Sequence, residues 1–309
     1  MTLSAAESAT ISLTSAAERP RVLAMVFDGL LEPKLLERAE ELFAADGESW
    51  EGLFAAHRGD RLVGAVFVQP QPGRLATVWF PRIASGEPSS TAAGLLAASS
   101  RFLDRPSIQI AQCLPRLVGA EEDALLRGAG FHWLANLFYL ACPALGFPQS
   151  APESSIALEP YAPAKHARLA QLVEATYRET LDCPSMNGVR SIEDVLAGYK
   201  ASGRFAPQHW LLATHQGQDV GCLLLTDYPD QENFELVYMG IVPESRGRGW
   251  GVELARYAQW RAGQAGRQRL VLAVDALNRP ALQAYQAVGF SPWDQRSVYL
   301  KILRDKNAE

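Results

Sequence analysis

Two stretches of this chain repeat one another. "LFAAHRGDRLVGAVFV" (53–68) sets beside "LLATHQGQDVGCLLL" (211–225), and "GAGFHWLANLFYL" (128–140) sets beside "AVGFSPWDQRSVYL" (287–300). His57 and His215 are 158 positions apart, Gly64 and Gly221 157, and Gly130 and Gly289 159. An offset kept so nearly constant, with the matches in unbroken order, constrains the chain to two copies of one fold. Its 309 residues are enough for two domains that each bury a core. Between the copies, Pro143, Pro148, Pro152, Pro160 and Pro163 mark a linker. The expected domains are therefore residues 1–145 and 151–309.

The second copy shows its elements most clearly. "SSIALEPY" has the pattern of a strand and "PAKHARLAQLVEATYRE" that of an amphipathic helix. "SIEDVLAGYKA" predicts a short helix with Ser191 at its N-cap and Asp194 three residues on. "HWLLATHQGQDVGCLLLTDY" predicts a hairpin turning at Gly217, and "NFELVYMGIV" a third consecutive strand. Next come a helix ending near Gly263 or Gly266, a buried central strand in "RLVLAVDA", a helix with Pro280 in its first turn, and a closing strand in "RSVYLKIL". The order β-α-α-β-β-β-α-β-α-β implies an α/β fold, a mixed and mostly antiparallel sheet flanked by helices on both faces, built twice in tandem.

Net charge is −5, and no block of five like charges occurs, so wrapping nucleic acid is disfavoured. The four cysteines are scattered without a C-x-x-C pair, which argues for reduced thiols and no metal site. The N-terminus has neither a basic start nor a long apolar run, and no stretch approaches the roughly 20 apolar residues of a membrane span. A soluble cytoplasmic protein with no membrane partner is expected.

The third strand leads into "ESRGRGWGVEL" (244–254), directly at a predicted helix start. A helix N-terminus presents unpaired N–H groups and the positive end of the helix dipole, and glycine removes the Cβ atoms that would hold an anion away. Arg246, Gly247, Arg248, Gly249, Trp250 and Gly251 thus have the composition of a phosphate cradle. It is not a P-loop, since Gly251 precedes Val252 and Glu253 rather than Lys and Ser or Thr. The G-x-G-x-G spacing also departs from the G-x-G-x-x-G of dinucleotide folds.

"VPESRGRGWG" resembles the [Q/R]-x-x-G-x-[G/A] motif of the GNAT superfamily of N-acetyltransferases, with Arg246, Gly249 and Gly251 at the motif positions. "NRPALQAYQAVGF" (278–290) is similar to that superfamily's second signature, an Asn-led helix with a Tyr four residues before Gly-Phe. The resemblance implies that residues 246–251 hold the pyrophosphate of coenzyme A, that Met239, Gly240 and Ile241 line its pantetheine arm, and that Asn278 and Tyr285 flank the thioester. It also implies that Tyr285 is the general acid for the leaving thiolate. The same tyrosine would serve as a core aromatic beside Leu282 and Phe290.

Acetyl transfer needs a neutral attacking amine. Glu235 stands in the otherwise apolar "FELVYMGIV", where desolvation would raise its pKa into a range suited to a base. Simple alternation puts it on one face with Val237, Met239 and Ile241. The alternative is a strand-end carboxylate facing solvent. A bulge at Gly240 would free the N–H near Met239 for the developing oxyanion, as the resemblance implies.

"ETLDCPSMNGVRSIED" (179–194) joins the first two helices of this half, where GNAT proteins build their acceptor site. Asp182 suits an amine and Arg190 a carboxylate, with Asn187 between; Asp-Cys-Pro and Asn-Gly are equally ordinary turn formers. Cys183 has no neighbouring base and is expected to be a plain thiol. In the first half, "FPRIASGEPSSTAAGLL" lacks the glycine motif, and the offset puts Leu126 opposite Tyr285 and Gly119 opposite Asn278. That half is expected to be catalytically inert.

The expected function is acetyl-CoA-dependent N-acetylation of a primary amine on a small-molecule acceptor. A peptide or protein N-terminal acetyltransferase and a non-catalytic acyl-CoA-binding regulatory module are the alternatives. Monomer and homodimer both stay open.

Overall fold

A computed structural model describes residues 8–29, 50–116 and 118–303. The chain divides into two compact units, Met1–Trp133 with Ser297–Glu309, and Leu134–Arg296.

In the first unit β1 (Thr10–Leu13), β2 (Leu53–Arg58), β3 (Arg61–Gln71) and β4 (Leu75–Ile83) pair antiparallel in sequence order. β5 (Ile110–Cys113) then joins β4 in parallel. Helix α1 (Arg19–Val26) packs Val22, Leu23 and Val26 against Leu53, Ala65 and Phe67 on one face. Helix α2 (Ser89–Leu103) buries Leu95, Leu96, Phe102 and Leu103 against Val63, Val66 and Val68 on the other. Helix α3 (Ala120–Gly128), capped by Gly119, adds Leu126 to that second core.

The second unit has the same plan. β7 (Ala157–Pro160), β8 (Trp210–His215), β9 (Gln218–Tyr228) and β10 (Asn233–Ile241) pair antiparallel, and β11 (Arg269–Asp275) joins β10 in parallel. The β8–β9 turn lies at Gly217, whose φ of +78° favours glycine, as expected. Because both faces are covered, alternate residues enter opposite cores. Trp210, Leu212, Cys222 and Leu224 meet α4 (His166–Tyr177) and α5 (Ile192–Ala201). Leu211, Leu223, Leu225 and Phe234 meet α6 (Trp250–Gln264) and α7 (Arg279–Gln286). Ser191 caps α5 as predicted, its hydroxyl accepting from Asp194 N at 3.1 Å. Gly266, at φ +68°, follows the end of α6.

The closing strands depart from the sequence division at 145 and 151. β6 (His132–Pro143), which precedes the proline-rich linker, pairs antiparallel with β11 of the second unit. The last residues of β12 (Ser291–Ile302) pair antiparallel with β5 of the first. Each sheet thus takes its final strand from the other half of the sequence. The two closing segments carry the same Gly-Phe entry and the same apolar alternation, so either would complete either sheet, and the pattern alone cannot assign them.

Candidate functional site

The parallel ladder between β10 and β11 lasts three pairs, from Asn233↔Arg269 to Glu235↔Val271. Beyond it the strands part around a cleft of about 510 Å³, with residues 236–241 on one wall and Ala273 and Val274 on the other. The register of β10 on β9 shifts between Leu236 and Tyr238, which makes Val237 an extra, bulged residue. The bulge expected at Gly240 is therefore at Val237. It also overturns the simple alternation: Phe234 and Leu236 face α6 and α7, Tyr238 faces the α4–α5 core, and Met239 and Ile241 return to the α6–α7 side. Glu235 lies on the α4–α5 side, opposite Met239 and Ile241.

Gly240 has a packing reason. A Cβ there would lie 2.6 Å from Thr176 Oγ1 and 2.8 Å from the Tyr238 hydroxyl, which are hydrogen-bonded to each other at 2.7 Å. Glycine lets the end of α4 press directly on β10, and the cleft wall is fixed as a result.

The glycine loop forms the floor of the cleft. Gly247 and Gly249 have φ of +79° and +82°, and Gly249 is the left-handed N-cap of α6. A Cβ at either would project into open space. Among the described residues, the N–H groups from Gly247 to Gly251 have no backbone carbonyl partner. Open N–H groups at the start of a 15-residue helix fit an anion. Glu253 would oppose an anion in that first turn, but its carboxylate is turned to the linker. There it accepts from Ser154 Oγ at 2.8 Å and Ser155 N at 3.1 Å. Trp250 Nε1 donates to Ser155 Oγ at 2.9 Å, and the Arg248 guanidinium lies 5.2 Å over the Trp250 ring.

Arg246 is bonded to protein rather than aimed at the cleft. Its guanidinium donates to the carbonyls of Ile241, Thr176, Arg178 and Glu179 at 2.8–3.1 Å. Thr176 O is one of the carbonyls left open at the end of α4, and Arg178 and Glu179 follow directly after it. Asn187 completes the cap, its Nδ2 donating to Tyr177 O at 2.9 Å. Arg190 donates to Asp194 O at 2.7 Å at the start of α5. Asn187 and Arg190 therefore shape the loop between α4 and α5 and do not line the cleft.

Asp182 does line it. One of its oxygens accepts from Asp275 N at 3.0 Å, and desolvation, followed by the Asp275 charge, holds its carboxyl above the usual range against that hydrogen bond. Asn278 caps α7 through Ala281 N at 3.3 Å, and Tyr285, the penultimate residue of α7, also lines the cleft. Burial and then the Asp182 charge raise the Tyr285 phenol, so it keeps its proton at neutral pH. Glu235 pairs with Val271 at the last rung of the β10–β11 ladder and is not among the residues lining the cleft; burial raises its carboxyl while a hydrogen bond with Tyr228 partly offsets the rise. Burial pushes the Cys183 thiol up to about 12, which makes it a poor nucleophile.

The opening thus brings Met239, Gly240, Ile241, the glycine loop, Asn278, Tyr285 and Asp182 together. Sequence reasoning missed Tyr228, Thr176, Tyr238 and Asp275. Only Asp275 left a signal, as a carboxylate at the end of the apolar run "LVLAV". A larger cavity of about 640 Å³ lies between α2 and α3, walled largely by Ala93, Leu96, Ala97, Ala124 and Leu125. Pro88 is the N-cap there, where α6 has its glycine. Among the described residues no cluster suits a metal ion, and no helix is long and apolar enough to cross a membrane.

Residues 173–290 match the acetyltransferase (GNAT) family model. The chain is 26% identical to a mycothiol acetyltransferase of Thermobifida fusca (strain YX) in an alignment of 319 residues, 88% of this chain and 95% of that one. Its fold matches a GCN5-related N-acetyltransferase from Sphaerobacter thermophilus at a TM-score of 0.69 and 18% identity, over 96% of both chains. A tandem GNAT protein from the clavulanic acid biosynthesis pathway matches at a TM-score of 0.52 and 14% identity, over 82% of this chain and 83% of that one. The second unit of this chain therefore carries a GNAT-family acetyltransferase domain.

Proposed function

We propose that the chain transfers the acetyl group of acetyl-CoA to the primary amine of a small molecule, in the cleft between β10 and β11. The observation that carries this reading is the continuity of the opening, which joins a glycine-rich helix N-terminus to a protonated tyrosine through a bulged strand. In this reading the N–H groups from Gly247 to Gly251 hold the pyrophosphate, with Arg248 free to add charge. Met239, Gly240 and Ile241 wall the pantetheine arm, and Asn278 fixes the start of α7 beside it. Arg246 contributes by holding the loop in place.

Acetyl-CoA supplies an activated acyl carbonyl with a thiolate leaving group. The protein must then deprotonate the amine, stabilise charge on the carbonyl oxygen and protonate the sulfur. Tyr285 holds the proton for the last step. Glu235 is the candidate base, because its desolvated carboxyl gains basicity and stands where β10 leaves β11. After the bulge at Val237, Met239 pairs in register with Leu223 of β9, and with the β11 ladder ended at Glu235 a backbone N–H near Met239 on the other edge of β10 suits the oxyanion. Asp182, a carboxylate at the cleft, favours a cationic acceptor. Extended similarity to a mycothiol acetyltransferase supports a small-molecule acceptor over a peptide. The first unit is proposed to have no catalytic role, with Leu126 where the second has Tyr285.

Replacing Tyr285 by Phe tests the reading. Turnover with a responsive amine should fall by about 10²–10⁴-fold, the range for loss of a general acid, while acetyl-CoA affinity stays within about twofold. Unchanged turnover would remove Tyr285 as the acid. Tight acetyl-CoA binding by the wild type, with no amine turned over, would leave a binding module.

A further inference from the structure

Asp275 ends β11 with only 3% of its surface exposed. Its two carboxylate oxygens accept from different segments. Oδ2 takes the N–H of Cys183 at 3.1 Å, in the loop between α4 and α5, and Oδ1 takes the N–H of Leu277 at 2.8 Å, just before α7. In return, its own N–H donates to Asp182 Oδ1 at 3.0 Å. Asp182 thus binds the backbone of Asp275, Asp275 binds the backbone of Cys183, and the strand end grips the loop at adjacent residues.

What this grip holds lies on both sides of the cleft. Asp182 lines the cleft, and its charge is felt at the Tyr285 hydroxyl. Cys183 has φ of +44°, a left-handed conformation unusual for a residue with a Cβ, and its N–H is the one that Asp275 binds. On the other side, Asp275 O accepts from Asn278 N at 2.9 Å, and Asn278 caps the helix that carries Tyr285. One buried carboxylate therefore connects the acceptor-side loop to the start of the tyrosine-bearing helix. A plain turn-forming aspartate would need only the Leu277 bond.

We propose that Asp275 is a positioning residue for the transfer: it fixes Asp182 and the 178–191 loop against the start of α7, so that the amine is held in one orientation beside Tyr285. This rests on the acetyltransferase reading above. Asp275→Asn keeps an acceptor for Leu277 N but can present an N–H donor to Cys183 N. In the full chain this variant should bind acetyl-CoA within about twofold of wild type. Its KM for the amine should rise at least about tenfold, with kcat changing less than about threefold. Asp182→Ala removes the acceptor of the Asp275 N–H from the cleft side and should show the same split even if Asp275→Asn fails to fold. Where both are soluble, the double variant should be no worse than the poorer single one.

If Asp275→Asn loses thermal stability but keeps the wild-type KM, or if the two losses multiply, Asp275 is only a structural cap and the proposal fails. A rise in the acetyl-CoA Kd as large as that in KM would also overturn it. A wild type that turns over no amine would overturn the acetyltransferase reading, and this proposal with it; failure in an active enzyme overturns the proposal alone.

Discussion

At Glu235, burial works against stability and toward the basicity that its proposed role needs. Burial raises its carboxyl, so the folded state binds a proton more tightly than the unfolded chain. Stability is therefore greatest below the ordinary carboxylate pKa, about 4.3, and falls as pH rises from there through the raised folded value. Glu235→Gln removes this term. The variant should melt at a higher temperature than wild type near neutral pH, and the gap should close as pH approaches 4. As a base, Glu235 must be unprotonated, so the acid limb of the wild-type rate profile should lie above the usual carboxylate range. The variant should lose that limb along with roughly 10²–10⁴ of the rate. A pH–rate profile unchanged by the substitution would mean that Glu235 is only a buried carboxylate sharing a hydrogen bond with Tyr228.

Between β10 and α6, structure and cofactor loop are joined by Arg246. Its planar fork suits several carbonyls at once, which a lysine ammonium cannot match. Arg246→Ala should destabilise the fold by about 1–3 kcal/mol, since several charge-assisted hydrogen bonds to partly hydrated carbonyls are lost together. Because α4 then loses its cap, the amine KM should rise more than the acetyl-CoA Kd, and steady-state kinetics beside titration calorimetry would show which does. A larger effect on cofactor affinity would mean that the guanidinium acts on phosphate after all. The motif was legible in the sequence, because glycines at a strand-to-helix junction have few other uses. The partners of Arg246 were not: they lie 67–70 positions away or depend on how the chain turns after β10. The bulge was expected three residues too late for a related reason. Gly240 is glycine because Thr176 presses on it, whereas the bulged residue is an ordinary valine with nothing local to mark it.

Across the whole molecule the repeat was visible as a constant offset, and the two sheets follow one plan. The exchange of closing strands was not visible, because "GAGFHWLANLFYL" and "AVGFSPWDQRSVYL" satisfy the same edge. Where the copies differ, they differ at the residues proposed for the chemistry. The N-cap positions correspond, Gly119 at α3 and Asn278 at α7, and the offset sets buried Leu126 against Tyr285. The sheets also correspond at the irregularity: β4 shifts register on β3 between Arg82 and Trp79, spanning Phe80 and Pro81. An offset of 158 puts Pro81 at the place of Met239, and proline has no N–H to offer an oxyanion. At the head of α2 a proline N-cap replaces the left-handed Gly249. The first unit therefore lacks the glycine-rich helix start, an N–H at the place of Met239 and the tyrosine, the three features on which the proposed transfer depends. Titration calorimetry should find one acetyl-CoA site per chain. Gly249→Asp should abolish it, because a carboxylate would enter the mouth of an anion cradle at a position that disfavours a side chain. A second site surviving in that variant would show that the first unit binds the coenzyme by other groups, and the functional asymmetry argued from Pro81, Pro88 and Leu126 would be confined to catalysis.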